Sequence, residues 1–246
     1  MPILYLSPST QEENLYVNGG TEEQWMNRLA DAMEPYLSAA GIRVVRNTPD
    51  MSAVSSIRAS NAGNYDLHLA LHSNAAPEGS YGQVRGVLVF YYPGSVKGRE
   101  AAQLIADNLK TVYPLPDKVR TESTTSIGEV RRVRAPAVFL ELGYHDNPDD
   151  ASWVKQNLDA IARSIVLALT EYFGLPFLEP IRPKQAVVDV SWGALNIRDR
   201  PDLSAPVIAR AYDGARLTVL GQWQGWYSVR FGDVLGWASS DFITLL

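Results

Sequence analysis

The sequence predicts an α/β sandwich with a mostly parallel central sheet, followed by a small all-β barrel. Three observations carry this. Short apolar runs alternate with amphipathic helical stretches through the first part of the chain. The stretch Phe173 to Lys184 then brings in Pro176, Pro180 and Pro183, which oppose both helix and sheet. From Ala186 onward the segments are short, β-branched and aromatic, and turn dipeptides separate them. The expected organisation is a first domain at 1–176, a linker at 177–185 and a second domain at 186–246.

The elements follow in order. Ile3 to Leu6 is a short apolar strand. Glu22 to Ala40 has helical periodicity, with Trp25, Met26, Leu29, Ala32, Met33, Tyr36 and Leu37 on one broad face. Thr21 can cap this helix and Gly41 ends it. Ile42 to Val45 is the next strand, Ser52 to Ala62 a helix and Asp66 to His72 a strand. Val87 to Tyr92 is a further strand and Ser95 to Leu109 a helix. Val138 to Leu142 is the last strand, and Ala151 to Tyr172 is one closing helix. In the second part, Trp192-Gly193, Asp213-Gly214, Gln224-Gly225, Gly232-Asp233 and Gly236 mark turns between short strands.

Composition limits the function classes. The chain has 246 residues, of which 46% are hydrophobic and 20% charged, as in an ordinary globular protein. A net charge of −5 argues against nucleic acid as a partner. Acidity is concentrated early: 1–180 carries 15 basic and 21 acidic residues, whereas 181–246 carries 7 and 6. No apolar run is long enough for a membrane span. The start, Met1-Pro2-Ile3-Leu4-Tyr5-Leu6, has no basic region or cleavage site, so a signal peptide is expected to be absent or removed. Absence of cysteine excludes disulfides and thiolate metal sites.

Two strands end on groups that carry chemistry. Leu67 to Asn74 reads as a buried strand running out at His72, and Ala137 to Tyr144 reads the same way at Glu141. In open α/β sheets, sites lie beyond the carboxyl ends of strands. An imidazole and a carboxylate there suggest a metal hydrolase, in which three protein ligands leave one position for water and a carboxylate moves the proton. Glu23, near the start of the first helix, would reach the same edge, and Asn27 one turn later can brace it. His68, on the same strand face as His72, reads as structural or surface. Arg131, Arg132 and Arg134 precede the last strand; they form either a solvated turn or a bidentate grip on a peptide carboxylate. Asn74, in the turn after His72, is a further substrate-binding candidate.

The spacing of these residues resembles the zinc-dependent N-acetylmuramoyl-L-alanine amidases of the Amidase_3 type. The resemblance rests on Glu23 to Asn27, on Asp66 through His72-Ser73-Asn74, and on Pro136-Ala137 through Glu141 to Asn147. Arg58 and Asn61-Ala62 fit a further helical motif loosely. The resemblance implies one zinc ion held by Glu23 and His72, with Glu141 as the catalytic carboxylate. The family's first histidine has no counterpart, because Thr10 stands roughly in its place in Ser7 to Asn14. The third ligand is then open between His145, Gln11 and Glu12. Residues 186–246 resemble a bacterial SH3-like (SH3b) domain, on Leu195-Asn196-Ile197-Arg198 with Pro201, Gly225-Trp226 and Gly236-Trp237. One or two of its surface aromatic residues would contact glycan or peptide.

Together the resemblances imply a peptidoglycan hydrolase that cuts the amide between N-acetylmuramic acid and L-alanine of the stem peptide. The alternative is a degenerate, metal-poor amidase that only binds peptidoglycan. The expected location is extracellular or at the cell wall, or the cytoplasm for a phage-type endolysin later released to the wall.

Overall fold

The computed structural model describes residues 1–246, which form two compact units. An α/β unit comprises Ile3–Met33 and Val45–Tyr172. A β-rich unit comprises Met1–Pro2, Glu34–Val44 and Phe173–Leu246. The chain runs through β1 (Ile3–Pro8), α1 (Glu22–Ala39), β2 (Arg43–Arg46), α2 (Ala53–Ala62), β3 (Leu67–Asn74), β4 (Val87–Tyr91) and α3 (Val96–Leu109). It continues through β5 (Val119–Ser123), α4 (Gly128–Arg131), β6 (Ala137–Tyr144), α5 (Pro148–Gln156) and α6 (Leu158–Phe173).

The first sheet is six-stranded, in the order β2-β1-β3-β6-β4-β5. The pairs β1–β3, β3–β6 and β4–β5 are parallel, and β4–β6 is antiparallel. The sheet is therefore mostly parallel and flanked by helices, as the alternation predicts. Leu4, Leu6, Leu67, Leu69, Leu71, Val138, Leu140 and Leu142 are fully buried along the central strands. The alternate positions Tyr5, Ser7, His68, Ala70, His72, Phe139 and Glu141 share the opposite face, because successive side chains of a strand alternate sides. Both faces are covered, so β3 is buried along nearly its whole length.

Several elements depart from expectation. The closing helix starts earlier, at Pro148, and breaks at Asn157, whose backbone and side-chain N–H groups both donate to Trp153 O. The strand β5 and the single turn α4 carry no apolar periodicity, and sequence pattern does not mark them. α4 lies on the polar face of the sheet: Ile127 and Val130 pack with Ala70, Phe90 and Phe139.

The strand end at β6 is held by Asp150. This fully buried carboxylate accepts from the backbone N–H groups of Gly86 and Tyr144, from Tyr113 Oη and from Arg85 Nε. Gly143 has φ +74°, and a Cβ there would stand 3.1 Å from the Asp150 Cβ. Glycine lets the chain leave β6 over this carboxylate.

The β-rich unit contains β7 (Lys184–Val188), β8 (Ala194–Arg198), β9 (Val207–Tyr212), β10 (Arg216–Trp223), β11 (Trp226–Phe231), β12 (Val234–Ser239) and β13 (Ile243–Leu245). They form an antiparallel seven-stranded sheet in the order β13-β7-β10-β11-β12-β8-β9. Gln224 and Gly225 both have positive φ in the two-residue hairpin between β10 and β11, the conformation a tight hairpin needs. Inward-facing Val188, Ile197, Leu217, Val219 and Val229 form its core. Leu178, inside the stretch expected as a linker, is buried in a cluster with Ala39 and Trp237 of the same unit. No helix is long and apolar enough to cross a membrane.

Candidate active site

The site forms where β3 and β6 end side by side. Their parallel register sets His72 opposite Glu141. His72 is 7% exposed, and its ring stacks on Phe139 at 4.2 Å between centroids and 19° between planes. Its two nitrogens both meet carboxylates. Nδ1 lies 2.7 Å from Glu22 Oε1, and Nε2 lies 3.3 Å from Glu129 Oε2. A cleft of about 620 Å³ opens onto His72 and Glu129 and is walled by Ser9, Gln11, Glu12, Asn47 and Met51.

The sequence places Glu23 at this site, but the carboxylate against His72 belongs to Glu22. Glu23 instead accepts from Asn27 Nδ2 at 3.1 Å. The reason is helical phase. Glu22 precedes the buried Met26, Leu29 and Met33 by four, seven and eleven residues, and so lies on their stripe. Glu22 is 1% exposed and accepts from Asn14 Nδ2 at 2.7 Å and Ser73 N at 3.4 Å. That stripe was the available signal for it. Glu129 had none, since it sits in a four-residue helix.

Of the three candidates for the remaining ligand, Gln11 comes nearest. Its Nε2 stands 3.2 Å from His72 Nδ1. His145 is buried, but its Nδ1 faces Ser73 O at 3.1 Å and lies 4.0 Å from Glu22 Oε2. Glu12 is exposed at the cleft wall. Asn74 lies at the same sheet edge, with its Oδ1 accepting from Ala75 N. Arg131 is exposed at the last position of α4. Arg132 and Arg134 are not brought to His72. Arg132 O accepts from Asn61 Nδ2 and Arg134 Nη1 donates to Asn61 O, which ties this segment to the end of α2 ahead of β6. His68, fully buried, pairs with Ser60 Oγ at 3.0 Å and lies 3.3 Å from Glu129 Oε1.

The electrostatics follow from burial and pairing. Burial lowers the His72 pKa, but the bonds to Glu129 and Glu22 overcome it and raise it to about 10. Burial raises Glu129, yet its bonds to His68 and His72 bring it down to about 2. Burial raises Glu22 too, but the bond and charge of His72 with the bonds from Asn14 and Ser9 together hold it below the usual carboxylate range. Glu141 is the exception. Its Oε2 is buried with no hydrogen-bond partner, and burial pushes the group up to about 8 despite the nearby His72.

This donor set does not fit a three-ligand zinc site. No three His, Cys, Asp or Glu side chains converge on one point suited to a metal. Two ligands of a tetrahedral zinc, each at about 2.0–2.1 Å, stand roughly 3.3 Å apart. The 2.7 Å between Glu22 and His72 is instead a charge-assisted hydrogen bond.

A mostly parallel α/β sheet flanked by helices, with an imidazole and a carboxylate at adjacent strand ends, defines the class of fold. The comparisons give the family. The sequence model of the N-acetylmuramoyl-L-alanine amidases matches residues 10–171, and that of the bacterial SH3 domain matches 193–244. The chain belongs to the N-acetylmuramoyl-L-alanine amidase family and carries a bacterial SH3 domain after its amidase domain. Among solved structures, it is similar to the catalytic domain of the amidase CwlV from Bacillus (Paenibacillus) polymyxa var. colistinus. The identity there is 16%, the coverage 72% of this chain and 100% of that one, and the TM-score 0.62. The amidase Ami1 from Mycobacterium smegmatis is 17% identical, with coverage of 70% and 97% and a TM-score of 0.61. The catalytic domain of the CD27L endolysin targeting Clostridia difficile is 24% identical, with coverage of 70% and 97% and a TM-score of 0.58. A search of curated proteins found no match.

Proposed function

We propose that this chain hydrolyses the amide between the lactyl group of N-acetylmuramic acid and L-alanine of the stem peptide, with Glu141 as the proton carrier. The observation that carries the reading is the unpartnered Glu141 Oε2 at the end of β6, across from His72. Ionised Glu141 takes a proton from water as the water oxygen bonds to the carbonyl carbon. The carboxyl then passes that proton to the alanine nitrogen as the C–N bond breaks, leaving a lactyl carboxylic acid and an amine, and the acid's proton moves to the amine to give carboxylate and ammonium. The positive His72 ring favours the ionised form of Glu141. Gln11 at the cleft wall offers an amide to the carbonyl oxygen, and Asn74 and Arg131 are the proposed substrate contacts. Glu22 stands where the resemblance puts Glu23, and its part here is to hold the His72 ring through the hydrogen bond to Nδ1. The zinc implied by the resemblance enters no step, because the donor set above does not suit it.

The bacterial SH3 domain supports peptidoglycan as the partner and the cell wall as the place of action, whether the protein is exported or released as a lysin. The test is cleavage of a soluble muramoyl peptide by the full chain and by Glu141→Gln, read as newly freed alanine amino groups. Release by the wild type and none by the variant is the expected result. Binding of peptidoglycan without any release by the wild type would overturn the reading in favour of a binding module.

A further inference from the structure

We propose that Glu129 is a positioning residue of this centre, bridging His68 and His72 and fixing the His72 ring with Nδ1 toward Glu22 and Gln11. The inference rests on the amidase reading above and goes beyond it, since neither the strand-end pattern nor the helix stripe includes Glu129. The geometry is specific. Oε1 accepts from Ser7 Oγ at 2.6 Å and stands 3.3 Å from His68 Nε2, while Oε2 stands 3.3 Å from His72 Nε2. His68 and His72 share one face of β3, and the one carboxylate laid over that face comes within 3.3 Å of both Nε2 atoms. Ile127 and Val130, on either side of Glu129 in sequence, anchor α4 on Ala70, Phe90 and Phe139. That anchoring turns Glu129 inward, where it is 4% exposed.

Packing alone gives no reason for a carboxylate here. An apolar side chain would extend the cluster of Ile127, Val130 and Phe139, and buried ion pairs are often no better than such a replacement. What an apolar residue cannot do is hold an imidazole by its far nitrogen. Phe139 fixes the plane of the His72 ring by stacking, but a stack leaves the ring free to turn over within that plane. Glu129 on Nε2 opposes that turn together with Glu22 on Nδ1, so Nδ1 stays toward Glu22 and Gln11. Carboxylates that orient a functional histidine through its second nitrogen act in this way.

The test compares Glu129→Leu and Glu129→Gln with the wild type by steady-state kinetics on a soluble muramoyl peptide and by imidazole nitrogen NMR. The chain has three histidines, which keeps the spectrum assignable. In the Leu variant, the His72 and His68 signals move while those of His145 stay, and kcat falls roughly 10–100-fold with KM nearly unchanged. Gln keeps the shape and one acceptor, so it recovers part of the lost kcat. It also replaces Leu as the test if that variant does not fold. A folded variant with unchanged His72 signals, or with wild-type kcat, overturns the proposal. If the wild type cleaves nothing, the function reading fails by itself, and the NMR comparison still decides whether Glu129 holds the ring.

Discussion

Glu141 is the residue where stability and chemistry conflict. A carboxylate with a buried, unpaired oxygen is costly to ionise, and its pKa rises from an ordinary 4.5 to about 8. The folded state therefore binds this proton more tightly than the unfolded state, so stability falls as pH rises from about 4.5 to about 8. The neighbours carry their own windows. His72, raised from 6.5 to about 10, stabilises fully below 6.5 and loses that contribution as pH rises to about 10. Glu129, lowered from 4.5 to about 2, stabilises above 4.5 and loses it as pH falls toward 2. Glu141→Gln should thus melt several degrees higher than the wild type at pH 8, with the gap closing toward pH 4.5. Thermal denaturation across that range checks it, and equal melting curves at pH 8 would contradict it. As a general base, Glu141 also predicts that kcat/KM climbs about tenfold per pH unit and levels off above its pKa; a flat profile from pH 6 to 9 would exclude the role. Gln11→His tests the donor argument. It adds an imidazole beside Glu22 and His72, and elemental analysis should then find near-stoichiometric zinc in the variant and little in the wild type.

Elements place these residues, and Asp150 does most to fix where β6 ends. It ties together β6, the approach to β4 and the loop after α3 through four hydrogen bonds accepted by one buried carboxylate from Gly86, Tyr144, Tyr113 and Arg85. Asp150→Ala leaves the Gly86, Tyr144 and Tyr113 donors without their acceptor, while Arg85 keeps Asp149 at 2.8 Å, and the cost is on the order of 3–5 kcal/mol. A fall in the urea midpoint of that order is expected, and a change under 1 kcal/mol would show that water substitutes for the carboxylate. The same scale explains what was readable in the sequence. His72 and Glu141 stood out because each ends an apolar strand, and a sheet delivers such residues to one edge. Glu22 and Glu23 are adjacent at a helix start, about 100° apart around the axis, and the motif spacing to Asn27 favoured Glu23. The buried stripe through Met26 and Leu29 instead takes Glu22 inward. β5, whose residues are largely polar and exposed at the sheet edge, and α4, one turn long, present no period to read. Glu129 became visible only once α4 was placed over β3.

At the scale of the whole molecule, the three prolines from Pro176 to Pro183 suggested a linker at 177–185 between two domains. The compact units divide otherwise: Glu34–Val44, which includes the end of α1, groups with Phe173–Leu246. Composition cannot reveal this, because the segment is an ordinary amphipathic helix end followed by a strand. The packing inside the β-rich unit gives the physical reason. Ala39, Leu178 and Trp237 share a buried cluster, and Ser228 Oγ donates to Ser38 O at 3.0 Å. Gly41 turns away from the helix at φ +74°, and a Cβ there would stand 2.5 Å from Trp237 Nε1. An alanine at Gly41 is therefore disfavoured twice, by its backbone conformation and by the indole, whereas at an ordinary helix-ending glycine only the first applies. A chain cut after Pro176 would keep α1 but lose Leu178, Ser228 and Trp237, leaving Ala39 and its neighbours exposed to water. Domains joined by a passive linker would show the same melting temperature for the amidase part in both forms. The packing predicts instead that residues 1–176 melt lower than the amidase transition of the full chain and that Gly41→Ala in the full chain shifts melting in the same direction. Calorimetry of the three proteins decides it: coincident transitions for the cut and full chains would restore the linker.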